Sequence, residues 1–197
     1  METTLEHIYK KYNVTPTSRL IRLPIAREGL GELFAELGFT RGAEIGVDRG
    51  YFSSVLLKAN PKLRMWCIDA WTAYEGYRDY VNQDRISRHY AEAKKGLAKY
   101  NAHIIKDFSM NVVKTFRDNS LDFVYLDGNH DFQNVINDIA EWGKKVRVGG
   151  ILAGHDYTGT RKSFECRVKY AVDAWAYAYN IRPYFMTTDP SWLWVKT

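Results

Sequence analysis

Short apolar runs alternate with amphipathic segments along most of this chain, and this alternation predicts its secondary structure. Five runs have the length and apolar content of β-strands; they cover residues 42–47, 63–68, 103–106, 121–127 and 149–154. The segments between them repeat apolar residues at helical spacing, as Val135, Ile139 and Trp142 do within the helix predicted over 131–146. Alternating strands and helices imply a mostly parallel sheet with helices on both faces.

The C-terminal residues depart from this alternation. Two further strands are predicted at 183–188 and 192–196, and the short segment between them is too short for a crossover helix. These strands therefore predict an antiparallel hairpin, which adds an antiparallel strand at one edge of the sheet. The expected fold is α/β and doubly wound, with a mostly parallel seven-stranded sheet and helices on both faces.

The N-terminal residues carry a weaker pattern. Residues 1–27 are polar and are interrupted by Pro16 and Pro24, so we expect a helix followed by an extended arm. We expect one domain over residues 28–197, because no linker-like or repeated segment divides the chain further.

The composition is that of a globular protein with a substantial core. Of the 197 residues, 46% are hydrophobic, and the formal charge of +5 arises without a block of like charges, which disfavours a nucleic-acid partner. Cys67 and Cys166 fall in a predicted strand and a predicted helix, which indicates reduced core residues. No secretory signal pattern and no apolar stretch of about 20 residues occurs, so we expect a cytoplasmic protein without a membrane span.

A glycine-containing turn and two acidic residues form the pattern of a nucleoside site. Glu44-Ile-Gly-Val-Asp-Arg-Gly50 joins the first strand to a helix, and Asp69 ends the second strand, where it can accept hydrogen bonds from a ribose. A dinucleotide site requires glycine where Asp48 stands, because a carboxylate repels a pyrophosphate. S-adenosylmethionine (SAM) carries an ammonium and a sulfonium and tolerates acids here. The alternatives are a simple tight turn at the glycines and a helix N-cap role for Asp69.

Four motifs in this order resemble those of class I SAM-dependent methyltransferases, in the small-molecule branch related to catechol and macrocin O-methyltransferases. The first is Glu44–Gly50, with Asp48 in place of the middle glycine, and the second is Asp69, which resembles the ribose-binding acid. Residues 121–131 and 148–157 resemble the motifs of the fourth and fifth strands, and the hairpin resembles the reversed last strand. The resemblance covers residues 28–197 and implies a Rossmann-like fold and SAM as the cofactor. The cofactor-binding residues that it implies are Glu44, Gly46, Val47, Asp48, Gly50, Asp69, Ala70, Trp71, Asp107, Phe108 and Asp127.

Methyl transfer to a hydroxyl also requires a group that removes the proton. Asp127, His130, His155 and Asp156 follow predicted strand ends, where open α/β sheets bind ligands. Asp127 and Asp156 resemble the two aspartates that hold Mg²⁺ in the metal-dependent branches, although Tyr157 stands where those branches place a third ligand. Imidazole is a poor ligand for Mg²⁺, so two alternatives stay open: a divalent metal, and His155 or His130 as the general base.

Two loop regions have residues suited to binding an acceptor. An aromatic-rich segment after the second strand is expected either to close over the acceptor or to form a half-buried helix face; its members are Trp71, Tyr74, Tyr77 and Tyr80. Arg161 and Lys162 are expected either to bind an anionic substrate or to lie in a solvated loop. For Phe108, a core position is the alternative to a cofactor contact.

The expected function is SAM-dependent methyl transfer to a hydroxyl of a small molecule such as a sugar, a polyketide or a catechol, by a monomer or a homodimer. One alternative is a nucleic-acid methyltransferase, which Asp127-Gly-Asn-His130 disfavours because amino-group methylation of bases uses a [DN]-P-P-[YF] motif there. Another is a non-enzymatic SAM-binding or hydroxylase-like relative that keeps the fold and changes the chemistry.

Overall fold

The computed structural model describes residues 2–74, 81–158 and 166–197. The helices are α1 (Thr4–Tyr12), α2 (Gly29–Glu36), α3 (Tyr51–Ala59), α4 (Gln83–Leu97), α5 (Ser109–Val112), α6 (Phe132–Lys145) and α7 (Val168–Ala178). The strands are β1 (Leu20–Arg22), β2 (Arg41–Ile45), β3 (Arg64–Asp69), β4 (Ala102–Lys106), β5 (Leu121–Leu126), β6 (Val146–Gly154), β7 (Tyr184–Met186) and β8 (Trp192–Val195). A short 3-10 turn, Val113–Thr115, follows α5.

All the strands belong to one sheet, in the order β1-β7-β8-β6-β5-β2-β3-β4. Every neighbouring pair is parallel except those of β8, which runs antiparallel to both β6 and β7. The α/β prediction, its mostly parallel sheet and its C-terminal hairpin are therefore confirmed. The reversed strand does not lie at an edge, as the sequence suggested, but inside the sheet. Its four residues are all buried, which suits an interior strand.

The predicted count of seven strands is wrong, because the described residues form a sheet of eight. The additional strand is β1, in the segment expected to be an extended arm, and it pairs in parallel with β7 through Leu20 and Tyr184. A strand of three residues carries too little alternation to be recognised by its hydrophobic pattern. Its partner lies far away in sequence, so only the folded chain reveals the pairing.

Both faces of the sheet are covered, as a doubly wound fold requires. Successive strand residues point to opposite faces, so Phe123 and Tyr125 pack with α1 to α4, whereas Val124 and Leu126 pack with α5 to α7. None of the described helices combines the length and the apolar character that crossing a bilayer requires.

The N-terminal helix α1 packs against this core. Thr3 and Glu6 form a capping box at its start, and the fully buried Ile8 belongs to the core cluster on that face. The Thr4 hydroxyl donates a hydrogen bond of 2.6 Å to the carbonyl oxygen of Gly149. Residues before position 28 therefore contribute both a sheet strand and core side chains.

A buried polar cluster joins α5 to α6. The Trp142 indole N–H donates to the Ser109 hydroxyl at 2.8 Å, and that hydroxyl donates to the Asp138 carboxyl group. Burial raises the pKa of Asp138 to about 7, although the hydrogen bond from Ser109 opposes the shift. Asp138 therefore takes up a proton on folding at mildly acidic pH.

We expect Ile8→Ala to lower the free energy of unfolding by about 2–5 kcal/mol, because it leaves a cavity in the core. Urea denaturation followed by circular dichroism measures the change. Lys10→Ala on the exposed side of the same helix, where the lysine side chain is 81% exposed, is the matched control and should change stability by less than about 0.5 kcal/mol. Equal, small effects of both substitutions would contradict the packing described for α1.

Asp138→Asn should change how stability depends on pH. The folded pKa of about 7 exceeds the unfolded value, so the wild-type carboxyl group stabilises the fold at low pH and loses this contribution as the pH rises towards 7. The stability of wild type relative to Asp138→Asn should therefore fall between about pH 4 and 7, by at most about 1.4 kcal/mol per pH unit. Glu141→Gln, at a partly exposed position of the same helix, is the control. A constant difference across this range would refute the assignment.

Candidate active site

A cavity of about 650 Å³ opens where the carboxyl ends of β2, β3 and β5 meet. This is the edge at which open α/β sheets bind ligands, and the volume suits a nucleoside-sized molecule. Eight of the residues expected to bind the cofactor line it: Glu44, Gly46, Val47, Asp48, Asp69, Ala70, Phe108 and Asp127.

The glycine turn brings the ends of β2 and β5 into close contact. Gly46 has a φ of +89°, and a Cβ at this position would lie 2.0 Å from the carbonyl oxygen of Asp127. Only glycine satisfies both the left-handed backbone and this approach. Gly50, with a φ of +80°, precedes α3 and is not among the cavity-lining residues. Both glycines therefore have a demonstrable role in chain geometry.

Asp69 connects β3 to this turn. Its Oδ2 accepts hydrogen bonds of 2.9 Å from the backbone N–H groups of Val47 and Asp48, and its Oδ1 accepts one of 2.9 Å from that of Trp71. The alternative role of helix N-cap is wrong, because α4 begins later and Asn82 caps it. The acid and the glycine turn thus lie together on the wall of the same cavity.

Asp48 occupies the position of the middle glycine and points its side chain towards α4. Its Oδ1 lies 2.5 Å from His89 Nδ1, while His89 Nε2 lies 3.0 Å from Arg49 Nη2. The backbone of Asp48 has a φ of +51°, and the Trp71 indole N–H donates to its carbonyl oxygen at 2.8 Å. These contacts hold a residue that is not glycine in a left-handed conformation. No sequence pattern indicated His89, because its partner Asp48 lies on another element.

The aromatic segment after β3 divides between core and cavity. Trp71 is fully buried with its ring 4.8 Å from that of Tyr90, so the expectation that Trp71 covers an acceptor is wrong. Its implied cofactor contact also lacks support, since it is absent from the cavity lining. Tyr74 does line the cavity. Other members of the predicted acceptor regions lie outside the described residues: Tyr77, Tyr80, Arg161 and Lys162.

Asp107 and Phe108 follow β4 and face in different directions. Asp107 accepts hydrogen bonds from the Asn111 side chain at 3.0 Å and from the Phe108 backbone at 2.7 Å, which lower its pKa, and it does not line the cavity. The Phe108 ring lies 5.4 Å from that of Tyr74 and is 43% exposed at the cavity wall. The alternative of a core position for Phe108 is therefore wrong.

The four candidates for chemistry converge beside the cavity. Ligand atoms of Asp127, His130 and Asp156 all lie within 4.8 Å of one another. His130 Nε2 lies 3.6 Å from Asp127 Oδ1 and 3.2 Å from Asp156 Oδ2. His155 Nδ1 lies 3.4 Å from Asp156 Oδ2. Of the two histidines, His130 lines the cavity and His155 does not.

Three carboxylates surround His155. Its Nδ1 also lies 3.8 Å from Asp127 Oδ1, and its Nε2 lies 3.6 Å from Asp189 Oδ2. Burial by itself would lower the pKa of His155, but the hydrogen bond with Asp156 and the charges of Asp127 and Asp156 raise it above its ordinary value. The imidazolium form therefore partly neutralises this acidic cluster.

The donor atoms of the cluster suit a divalent transition metal. Two carboxylates and an imidazole match Mn²⁺, Fe²⁺ or Zn²⁺ better than Mg²⁺, which prefers oxygen donors. Tyr157, at the expected third-ligand position, instead donates a hydrogen bond of 2.5 Å to Asp173 and lies 3.3 Å from the Tyr184 hydroxyl. Among the described residues, His130 is the one placed to provide the third donor atom.

Arg27 reaches the same region from the N-terminal segment. Its Nη1 lies 3.4 Å from Asp127 Oδ2, and its guanidinium lies 5.3 Å from the centroid of the Phe52 ring. Its backbone N–H donates to Asp189 Oδ1 at 2.8 Å, and the side chain lines the cavity. The sequence pattern missed Arg27, because it precedes every motif and its partners come from two distant loops.

Two buried acids also line the cavity, and burial raises the pKa of each. The pKa of Glu44 is about 8, since burial and the charges of Asp127 and Asp69 outweigh the hydrogen bond from Ser53 and the charge of Arg27. Asp138, whose pKa is about 7, lies on α6. It was not among the residues singled out in the sequence, although an acid between Val135 and Trp142 interrupts the apolar stripe of α6.

Structural comparison finds known proteins of the same fold. An O-methyltransferase from Bacillus cereus, solved in complex with SAH, has a TM-score of 0.61 and 16% identity over 96% of this chain and 88% of its own. The O-methyltransferase TomG from Streptomyces achromogenes, involved in tomaymycin synthesis and solved with SAM, has a TM-score of 0.60 and 14% identity over 100% and 91%. Cofactor-bound Rv0187 from MTB has a TM-score of 0.63 and 14% identity over 98% and 87%.

Sequence comparison identifies the family. No curated protein sequence matches the chain at a significant level. A family model described as a methyltransferase domain matches residues 43–157, which is more than half of the 197 residues. The matched segment begins in β2 and ends just after β6, so it contains the glycine turn, the acid of β3 and the Asp127 cluster. The chain therefore belongs to this methyltransferase-domain family.

Proposed function

We propose that this chain transfers the methyl group of SAM to a hydroxyl of a small-molecule acceptor, such as a sugar, a polyketide or a catechol. The observation that carries the proposal is the position of Asp69, whose carboxylate lies against the glycine turn on the wall of a cavity that also reaches the Asp127 cluster. A nucleoside held at Asp69 would thus have its reactive end near groups able to activate a hydroxyl.

The charges at one end of the cavity match the amino-acid part of SAM. Arg27 and Asp127 form an ion pair at 3.4 Å, and both line the cavity. An α-amino acid group carries one positive and one negative charge, so it can bind this pair with its carboxylate at Arg27 and its ammonium at Asp127. Glu44 also lines the cavity, and a nearby sulfonium would favour its ionised form, which burial otherwise disfavours. The proposal gains support from the O-methyltransferases with SAM or SAH bound that share the fold.

We propose that Asp127, His130 and Asp156 hold a divalent metal ion. Such an ion, when bound, lowers the pKa of a coordinated hydroxyl, which makes the oxygen a nucleophile near neutral pH. Asp127 can contribute to both functions, because Oδ1 faces His130 while Oδ2 faces Arg27. His155 acts as a positioning residue that orients Asp156 from outside the cavity lining.

SAH should raise the melting temperature of the wild-type protein, because it binds only the folded state. Asp69→Asn should weaken SAH binding by about 10–100-fold in isothermal titration calorimetry, since an amide cannot accept the same hydrogen bonds from a ribose. Asp107→Asn is the matched control and should bind within about twofold of wild type, because Asp107 faces α5. If saturating SAM and SAH both leave the melting curve unchanged, the proposed cofactor is wrong.

Asp156→Asn should weaken Mn²⁺ binding by at least about tenfold while SAH still binds, because Asp156 belongs to the metal cluster and not to the cavity lining. Titration of Mn²⁺ followed by electron paramagnetic resonance measures the first quantity, and calorimetry measures the second. Asp118→Asn, at an exposed aspartate paired with Lys145, is the control. Methyl transfer that resists EDTA but is lost in His130→Ala would refute the metal and identify His130 as a general base.

A further inference from the structure

We propose that Asp138 determines specificity for the cofactor by accepting a hydrogen bond from the amino group of adenine. The inference rests on the proposed function, because it requires an adenosyl cofactor in the cavity. It assigns base recognition to a residue of α6 and not to Asp107, which the family resemblance places among the cofactor-binding residues.

Asp138 is a buried acid in an apolar setting. Its side chain belongs to the same helix stripe as Val135, Ile139 and Trp142, and the residue is 7% exposed. Removing a carboxyl group from water is costly unless partners compensate for the lost hydration. The small exposed part of Asp138 lies in the cavity wall, where a ligand can provide such a partner.

The protein fixes one oxygen of this carboxyl group. The Trp142 indole N–H donates to Ser109 Oγ, so the single hydroxyl hydrogen of Ser109 is directed to Asp138 Oδ1. The other oxygen, Oδ2, lies near Gly128. It is 3.8 Å from the position that a Cβ added to Gly128 would occupy. Because Gly128 also lines the cavity, Oδ2 is placed to accept a hydrogen bond from a ligand.

The segment that begins α5 lies beside the end of β3, where the ribose is proposed to bind. The backbone N–H of Asp107 donates to the carbonyl oxygen of Asp69 at 3.0 Å, so the residues that follow extend the cavity wall from Asp69. Phe108 and Met110 in this segment line the cavity and offer an aromatic face and a thioether for a flat ring. A base attached to a ribose at Asp69 would therefore lie along Phe108 with an edge towards Asp138.

Adenine presents two N–H donors on its amino group, and a carboxyl oxygen is a matching acceptor. A hydrogen bond in this dry part of the cavity is stronger than one in water, and leaving Oδ2 without a partner in the complex is correspondingly costly. Burial raises the pKa of Asp138 to about 7, and an N–H donated by the ligand would favour the ionised form, in which Oδ2 is an acceptor. Asp107 cannot replace it, because its carboxylate accepts hydrogen bonds from the Phe108 backbone N–H and the Asn111 side chain and lies outside the cavity lining.

The test compares SAH with its 6-deamino analogue, in which a hydrogen replaces the adenine amino group, by isothermal titration calorimetry. Wild type should bind SAH about 10–100-fold more tightly than the analogue. Asp138→Leu, similar in shape but without an acceptor, should reduce this preference to about threefold or less. In Asp138→Asn the hydroxyl of Ser109 holds the carbonyl oxygen, so the amide NH2 group takes the place of Oδ2 and this variant should lose the preference as Asp138→Leu does. The matched control Asp107→Ala should keep the preference.

If Asp138 only joins α5 to α6, Asp138→Leu should weaken the binding of SAH and of the analogue equally, so that the ratio of the two affinities stays as in wild type. This result would overturn the inference. Loss of the preference in Asp107→Ala but not in Asp138→Leu would overturn it as well. Asp138→Ala provides a second truncation if the leucine variant fails to fold. Failure of wild type to bind SAH at all would refute the proposed function, and with it this inference, whereas SAH binding with an unchanged ratio in the variants refutes the inference alone.

Discussion

The candidate site depends on the hydrogen bonds that the Asp69 carboxylate accepts from the glycine turn. Two backbone N–H groups, those of Val47 and Asp48, meet one carboxylate oxygen at 2.9 Å in a buried position. Hydrogen bonds to a buried carboxylate are strong, so they fix the end of β3 against the turn that follows β2. The same contact forms part of the cavity wall. It also leaves Gly46 packed against the carbonyl oxygen of Asp127, which aligns β5 with β2 and β3.

Crowding of acidic groups is the second constraint on the cavity. Glu44, Asp69 and Asp127 all line it, and three neighbouring carboxylates repel one another in a dry site. The protein resolves this in two ways. Arg27 pairs with Asp127, while burial and the charges of Asp127 and Asp69 raise the pKa of Glu44 to about 8 and so favour its neutral form. A cationic ligand would relieve the same repulsion, which favours a sulfonium cofactor over a dinucleotide.

The sequence predicted those parts of the fold that local pattern encodes. The alternation of strands and helices and the reversed strand β8 follow from the periodicity of neighbouring residues and from the short segment before Trp192. Contacts across long sequence separations could not be predicted in this way. The pairing of Leu20 with Tyr184, the approach of His89 to Asp48 and the burial of Trp71 beneath the turn depend on packing between distant elements. The same holds within the site. The motif residues mark its location, whereas Arg27 and His89, which contact Asp127 and Asp48, come from outside the motifs.

The position of Arg27 explains why residues outside the family match matter for this site. The matched segment starts at residue 43, but Arg27 lies in the cavity wall because Asp189 holds its backbone N–H at 2.8 Å. Asp189 belongs to the loop between β7 and β8, and β7 is in turn paired with β1 of the N-terminal segment. The N-terminal segment and the C-terminal strands therefore contact one another at the sheet edge. Together they place the Arg27 guanidinium beside Asp127. In this architecture the shared segment supplies most of the acids together with His155, and the N-terminal flanking segment adds the guanidinium that pairs with Asp127.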